Sequence, residues 1–333
     1  MELQLKNIGI IKEANIILNG LTVIAGENDT GKSTAGRAFY YAIENYLSSK
    51  QPQSTNTTGM GTLIGFGIGL LGGPWGAVAG AALGTALDQS DKNRQLNKLS
   101  FYDKFPLKVG TDEKIAHPIM IETPYSLNNA SYIKNTQLLA NQKGLNFTLG
   151  DHIIDLVLQM SQTPNLEKNN FYSDIEKIID GKVYYDEKRD DFFYYKKSID
   201  KEFGMNSTAT GIKMFGFLQI LLLNGTIKEG TVLILDEPEV HLHPKWQLKY
   251  AEFIVELVKN DVKILVTSHS PYMIEALEFY SKKENIKRNF YLAQKEENYS
   301  IIKDVTKDTT LIYDLLAEPF DILEDEEMDS IKW

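Results

Sequence analysis

The nine residues GENDTGKST, Gly26 to Thr34, constrain this chain more than any other stretch. They fit the pattern G-x-x-x-x-G-K-[ST], with an apolar strand-like run before them and a helix-forming run after them. In that setting Gly26 and Gly31 let the backbone wrap a phosphate with successive N–H groups turned inward, and the helix start adds positive potential. Lys32 is placed to reach the β- and γ-phosphates of a nucleotide, and the hydroxyl of Ser33 to ligate Mg²⁺. Asn28 and Thr34 complete the set of loop residues expected to face the nucleotide. The expected cofactors are therefore ATP and Mg²⁺.

Two further motifs end strands. VLILDEPE delivers Asp236 and Glu237 to a sheet edge, the place where open α/β sheets put their chemistry. There Asp236 is the expected second Mg²⁺ ligand, and Glu237 the group that orients or deprotonates an attacking water. VTSHSP brings His269 to the same edge, within reach of a γ-phosphate. Lys32, Glu237 and His269 are thus the candidate catalytic residues, and Ser33 and Asp236 the candidate metal ligands. His241 and His243 follow close behind Glu237, but with no cysteine in the chain and no further nearby ligand they read as shaping a loop rather than holding a metal.

Around these motifs strands and helices alternate in the C-terminal third, which predicts a mainly parallel sheet flanked by helices. The reading divides the chain into an ATPase-head part at 1–47, a polar linker with a glycine-rich insert at 48–100, an accessory lobe of helices and strands at 101–203, and the rest of the head with an acidic tail at 204–333. In the accessory lobe the aromatics of DDFFYYKK read as sheet packing rather than base stacking. With 333 residues, no cysteine and a formal net charge of −10, disulfides and thiolate metal sites are excluded. The acidic balance opposes non-specific DNA binding by the whole surface, and leaves a local nucleic-acid contact open. The start MELQLKNIG has no basic region followed by an apolar run, which leads to the expectation of a cytoplasmic protein.

The P-loop, the Asp236-Glu237 pair and His269 together resemble the ATP-binding-cassette type of ATPase head shared by structural-maintenance-of-chromosomes, RecF and overcoming-lysogenization-defect proteins. The phrase LDEPEVHLHPKWQ is similar to the AAA-family ATPases of bacterial anti-phage systems of the Septu kind. The resemblance implies the P-loop NTPase fold of an ABC-ATPase head, with an inserted helical and β lobe. It implies two heads that sandwich ATP, the P-loop of one facing a signature loop of the other. NSTATGIKMFG occupies the signature place, with Thr210 where related sequences usually carry Ser, and with Gly211 kept. Gln137 in YIKNTQ is the candidate for the family's Q-loop glutamine. Slow, regulatory hydrolysis is the expected activity.

The glycine stretch from Gly61 to Gly84 departs from this pattern. Glycines recur every fourth residue, Gly61, Gly65, Gly69 and Gly73, then after Gly73-Pro74 again at Gly76, Gly80 and Gly84. No charged residue occurs between Lys50 and Asp88. Small residues at this spacing let helices approach closely in lipid. Each arm as a helix spans only about 18–20 Å, short of a ~30 Å hydrocarbon core. This glycine zipper supports two expectations: a sequestered insert that perturbs the inner membrane when released, or an element that zips subunits together. Three functions follow in order. The first is a defence or toxin-like ATPase with a membrane-perturbing segment. The second is an ATPase sensor or scaffold controlling a separate nuclease partner, and the third a RecF-like repair head, which the lack of long heptad arms weakens.

Overall fold

The computed structural model describes residues 1–50, 105–111, 113–143, 150–164 and 170–318, without the side chains of 137–143. The glycine zipper, most of the 48–100 segment and the acidic tail lie outside the described residues.

The chain opens with an antiparallel pair, β1 (Glu2–Ile8) and β2 (Ile11–Ile17), followed by β3 (Leu21–Gly26), the P-loop and α1 (Lys32–Lys50). After β4 (Leu107–Lys108) comes β5 (Pro118–Ile121), then α2 (Ala130–Lys143), α3 (Asp151–Met160) and α4 (Asn170–Ile178). A separate meander follows, β6 (Gly181–Asp186), β7 (Asp191–Lys196) and β8 (Lys201–Gly204). The remainder alternates as expected: α5 (Thr210–Leu223), β9 (Val232–Asp236), α6 (Pro244–Lys259), β10 (Lys263–Ser268), α7 (Pro271–Lys283), and finally the antiparallel β11 (Arg288–Lys295) and β12 (Ser300–Asp304).

Nine strands form one sheet in the order β4-β1-β2-β12-β11-β3-β10-β9-β5. From β11 to β5 every pairing is parallel, which is the mainly parallel sheet that the alternating pattern predicts. β5 comes from the 101–203 segment yet pairs with β9, so that segment contributes an edge to the main sheet as well as the meander. All four residues of β5 are buried, which only a position covered on both faces provides.

Alternation sorts the central strands between two cores. Val232 and Ile234 of β9 and Leu265 of β10 face α1, packing with Ala38, Phe39 and Ile43. Leu233, Leu235, Ile264 and Val266 face the other way, into a core shared with α5, α6 and α7. Capping fixes the two helices that follow β9 and β10. Pro244 opens α6 beneath an N-cap in which His243 accepts from the Lys245 N–H, and Ser270 caps α7 through the Met273 N–H. The aromatics of the meander do pack: Phe192 and Tyr194 are buried in the main core. Among the described residues, no helix is long and apolar enough to cross a membrane.

Candidate active site

The P-loop turns where its glycines allow it. Gly26 has φ 152° and Gly31 has φ 87°. A Cβ on Gly31 would lie 2.6 Å from Cγ1 of Ile11, and one on Gly26 would lie 2.2 Å from the Ala293 carbonyl oxygen. Neither position has room for a side chain. The loop is tied internally by the Thr30 hydroxyl donating to the Glu27 carbonyl at 2.8 Å, and externally by the Ser300 hydroxyl donating to the Thr30 carbonyl at 2.7 Å. Lys32 is 4% exposed and its ammonium donates to the Glu27 carbonyl at 2.7 Å. Asn28 is exposed on the loop, while Ser33 and Thr34 are half-buried in the first turn of α1.

β3, β10 and β9 are neighbours, so their ends converge. Asp236 ends β9 and accepts hydrogen bonds from the hydroxyls of Thr267 and Ser33. Its carboxyl is nevertheless pushed above its usual range, first by burial and then by the nearby Glu122 and Glu237. Two expected Mg²⁺ ligands therefore touch, in a pocket with more negative charge than its donors offset. That excess is what a divalent cation would neutralise, and the residues fit one.

Glu237 sits in the left-handed region, φ 46° and ψ 53°, a strained conformation for a residue other than glycine. Its N–H holds the turn by donating to Thr267, at 3.1 Å to both the carbonyl and the hydroxyl. Oε1 of Glu237 lies 3.5 Å from the Lys32 ammonium and 3.3 Å from Nδ1 of His269. The His269 imidazole, then the charge of Lys32, keep the Glu237 carboxyl below its usual range against partial burial. In return Glu237 raises the His269 imidazole above its own usual value, with Glu239 adding to the effect. All three candidate catalytic residues are thus brought together.

Two carboxylates that sequence reasoning passed over hold this edge. Glu239 is 3% exposed; its Oε1 accepts from the Ser268 hydroxyl at 2.6 Å and from the His269 N–H at 3.0 Å. It fixes the turn that carries His269. Glu122 follows β5 directly, binds the Arg37 guanidinium, and lies 2.8 Å from Nε2 of His152. Burial opposes its charge, but His152 and Arg37 together hold its carboxyl below the usual range. The signal was present, since PIMIE ends an apolar run in a carboxylate as VLILDE does. Gln137 lies on α2 and its side chain is outside the described set. Thr210 and Gly211 form the first turn of α5, where a Cβ on Gly211 would meet the Trp246 ring at 3.0 Å. Among the described residues, no hydrogen bond or ion pair joins Thr210 or Gly211 to Lys32, Ser33, Asp236 or Glu237. His241 packs edge-on against Tyr125, with ring centroids 6.0 Å apart.

The mainly parallel sheet thus brings the P-loop motif, the Asp236-Glu237 pair and His269 to one edge, as the sequence motifs predict for a nucleotide site. Comparison with known proteins adds detail. Residues 121–275 match the family model described as "AAA domain, putative AbiEii toxin, Type IV TA system". Residues 58–97 match that of the "Co-chaperone DjlA transmembrane domain". The chain is 25% identical over 241 residues to the uncharacterized protein MJ1542 of Methanocaldococcus jannaschii, covering 63% of this chain and 28% of that protein. It is 42% identical over 48 residues to the Septu protein PtuA of Bacillus thuringiensis, covering 14% of this chain and 12% of that protein. The matches thus span less than a third of either relative. Similar solved structures include an SMC head bound to the C-winged helix domain of ScpA, at TM-score 0.46 and 13% identity, covering 93% of this chain and 98% of that one. The SMC head of Thermotoga maritima has TM-score 0.41 and 14% identity, covering 91% and 98%. The similarity is to an AAA domain described with a putative AbiEii toxin and, over a short stretch, to a Septu protein, in line with the resemblance read from the sequence.

Proposed function

We propose that this chain binds ATP with Mg²⁺ and hydrolyses it slowly as one head of a homodimer, within a bacterial anti-phage defence or toxin system. The observation that carries the reading is the convergence of Lys32 and His269 on Glu237 beside the Ser33-Asp236 pair. Lys32 binds the β- and γ-phosphates, Glu237 takes a proton from the attacking water, and His269 holds the γ-phosphate. Mg²⁺, held by Ser33 and Asp236, supplies charge neutralisation at the phosphates. Thr210 and Gly211 at the start of α5 contact the nucleotide of the partner head, so an isolated head turns over poorly. Glu122 and Glu239 position this machinery.

The finer part of the reading concerns residues 61–84. Their glycine spacing, lack of charge and similarity to a transmembrane-domain family support a segment that disturbs a membrane when the nucleotide state of the dimer changes. Dye release from liposomes by the purified chain, with ATP, with ADP and without nucleotide, tests it beside a variant carrying Gly65→Leu and Gly80→Leu. Leakage that depends on nucleotide and vanishes in the variant is the expected result. Intact liposomes in every state overturn it.

The similarity to PtuA favours a second reading, in which the chain senses and assembles while a separate nuclease does the damage. The glycine segment then serves oligomerisation, and the double glycine variant falls to a smaller assembly without any effect on liposomes.

A further inference from the structure

A second cluster of titratable side chains stands apart from the nucleotide-facing edge. Glu44 lies on α1, twelve residues beyond Lys32 and so about 18 Å further along the helix axis. His117 immediately precedes β5, at the strand end opposite Glu122. Asp155 lies on α3. These three segments, far apart in sequence, bring one donor atom from each residue within 4.8 Å of the other two.

The details are those of ligands around an ion. Nδ1 of His117 is 2.7 Å from Oε1 of Glu44, an oxygen closed off from solvent. Asp155 has an oxygen engaged by the hydroxyl of Tyr40, itself 1% exposed, which orients the carboxylate as outer-shell donors orient metal ligands. The His117 side chain is 38% exposed, which leaves a path for entry. Two carboxylates this close repel unless a proton or a cation lies between them. An imidazole with two carboxylates suits a first-row transition ion better than Ca²⁺ or Mg²⁺, which take oxygen ligands.

The geometry points to a divalent metal site made by Glu44, His117 and Asp155, for an ion of the Zn²⁺ or Mn²⁺ kind, distinct from the Mg²⁺ position at Ser33 and Asp236. The ion clamps α1, the start of β5 and α3 together. One turn before Asp155, His152 holds Glu122 at the nucleotide edge. The clamp therefore also fixes the helix that positions this carboxylate.

The test uses the full chain, stripped with EDTA and kept without nucleotide or Mg²⁺, titrated with Zn²⁺ or Mn²⁺ alone and assayed for retained metal after gel filtration. About one ion per chain is expected. His117→Ala weakens binding by at least tenfold, and Tyr40→Phe by roughly ten- to a hundredfold, and both losses persist in an Asp236→Asn background. Glu44→Gln, a near-isosteric change, guards against loss through misfolding. Co²⁺ provides a second readout, through a visible absorption band that His117→Ala abolishes. Wild-type chain that retains less than a tenth of an equivalent, or His117→Ala and Glu44→Gln variants that bind as the wild type does, overturn the site and leave the three residues an ion-paired cluster. Both outcomes are read from metal retention alone, which keeps them distinguishable from a failure of ATP hydrolysis at Glu237.

Discussion

The Lys32 ammonium bridges two motifs: it donates to the Glu27 carbonyl inside the P-loop at 2.7 Å and stands 3.5 Å from Oε1 of Glu237 at the end of β9. The P-loop motif and the proposed general base are thereby coupled through one buried cation. Glu237→Gln keeps the shape and removes the charge. The expected result is intact nucleotide binding with turnover reduced by about two to four orders of magnitude, the usual contribution of a general base. Phosphate release measured beside retention of a fluorescent nucleotide checks it, and a variant with ordinary turnover would remove Glu237 from its role.

Gly31→Ala should destabilise the fold and abolish nucleotide binding. Its positive φ and the Ile11 side chain 2.6 Å from a new Cβ act together, for a loss of roughly 1–3 kcal/mol. Gly204→Ala is the control, since nothing lies within 4 Å of a Cβ there. Urea unfolding of the two variants should separate them clearly. Equal midpoints would mean that the loop relaxes freely.

The α5 helix rests on the meander through a close contact. A Cβ on Gly216 would lie 2.6 Å from Cγ2 of Val183, so Gly216→Ala should overpack the α5–β6 contact by about 1–3 kcal/mol despite alanine's better helix propensity. Val183→Ala opens that space. The double variant should be more stable than the sum of the single losses predicts, by roughly 1 kcal/mol or more. Strict additivity in denaturant unfolding would show that the two residues do not meet.

The Glu237–His269 pair gives stability a defined pH dependence. His269 is raised from 6.5, so its contribution is fully present below that pH and lost as pH rises through the raised value. Glu237 is lowered from 4.5, so its contribution is present above that pH and lost as pH falls through the lowered value. The stability difference between wild type and His269→Ala should therefore be larger near pH ~5.5 than near pH ~8.5. A difference that does not change between these two values contradicts the pairing.

The P-loop, Asp236, Glu237 and His269 were legible in sequence because each is a local event, an apolar strand running into a polar loop and then a helix. The central sheet was legible for the same reason, from VLILDE and VKILVTS alternating with amphipathic helices. Glu122 and Glu239 were not. Glu122 acquires its place only because β5 pairs with β9 across more than a hundred residues of sequence, and no local pattern encodes that neighbour. Glu239 was hidden in plain view, since PEVH reads as a turn until burial and the Ser268 contact show its carboxylate pointing inward. The Glu44–His117–Asp155 cluster joins three segments and has no sequence signature.

The position of β3 has a consequence for how the sheet assembles. The strand that carries the P-loop lies between β10 and β11, its partners Ile264 to Ser268 and Arg288 to Ala293. The P-loop strand therefore waits for partners more than two hundred residues further along the chain before its loop has a wall on either side. Contacts so distant in sequence form late. A nascent chain or a truncated fragment ending before residue 263 carries the full P-loop motif with no neighbouring strand to hold it. Such a fragment is expected to hold nucleotide poorly, so that ATP can register the loop only after β10 and β11 have closed on β3.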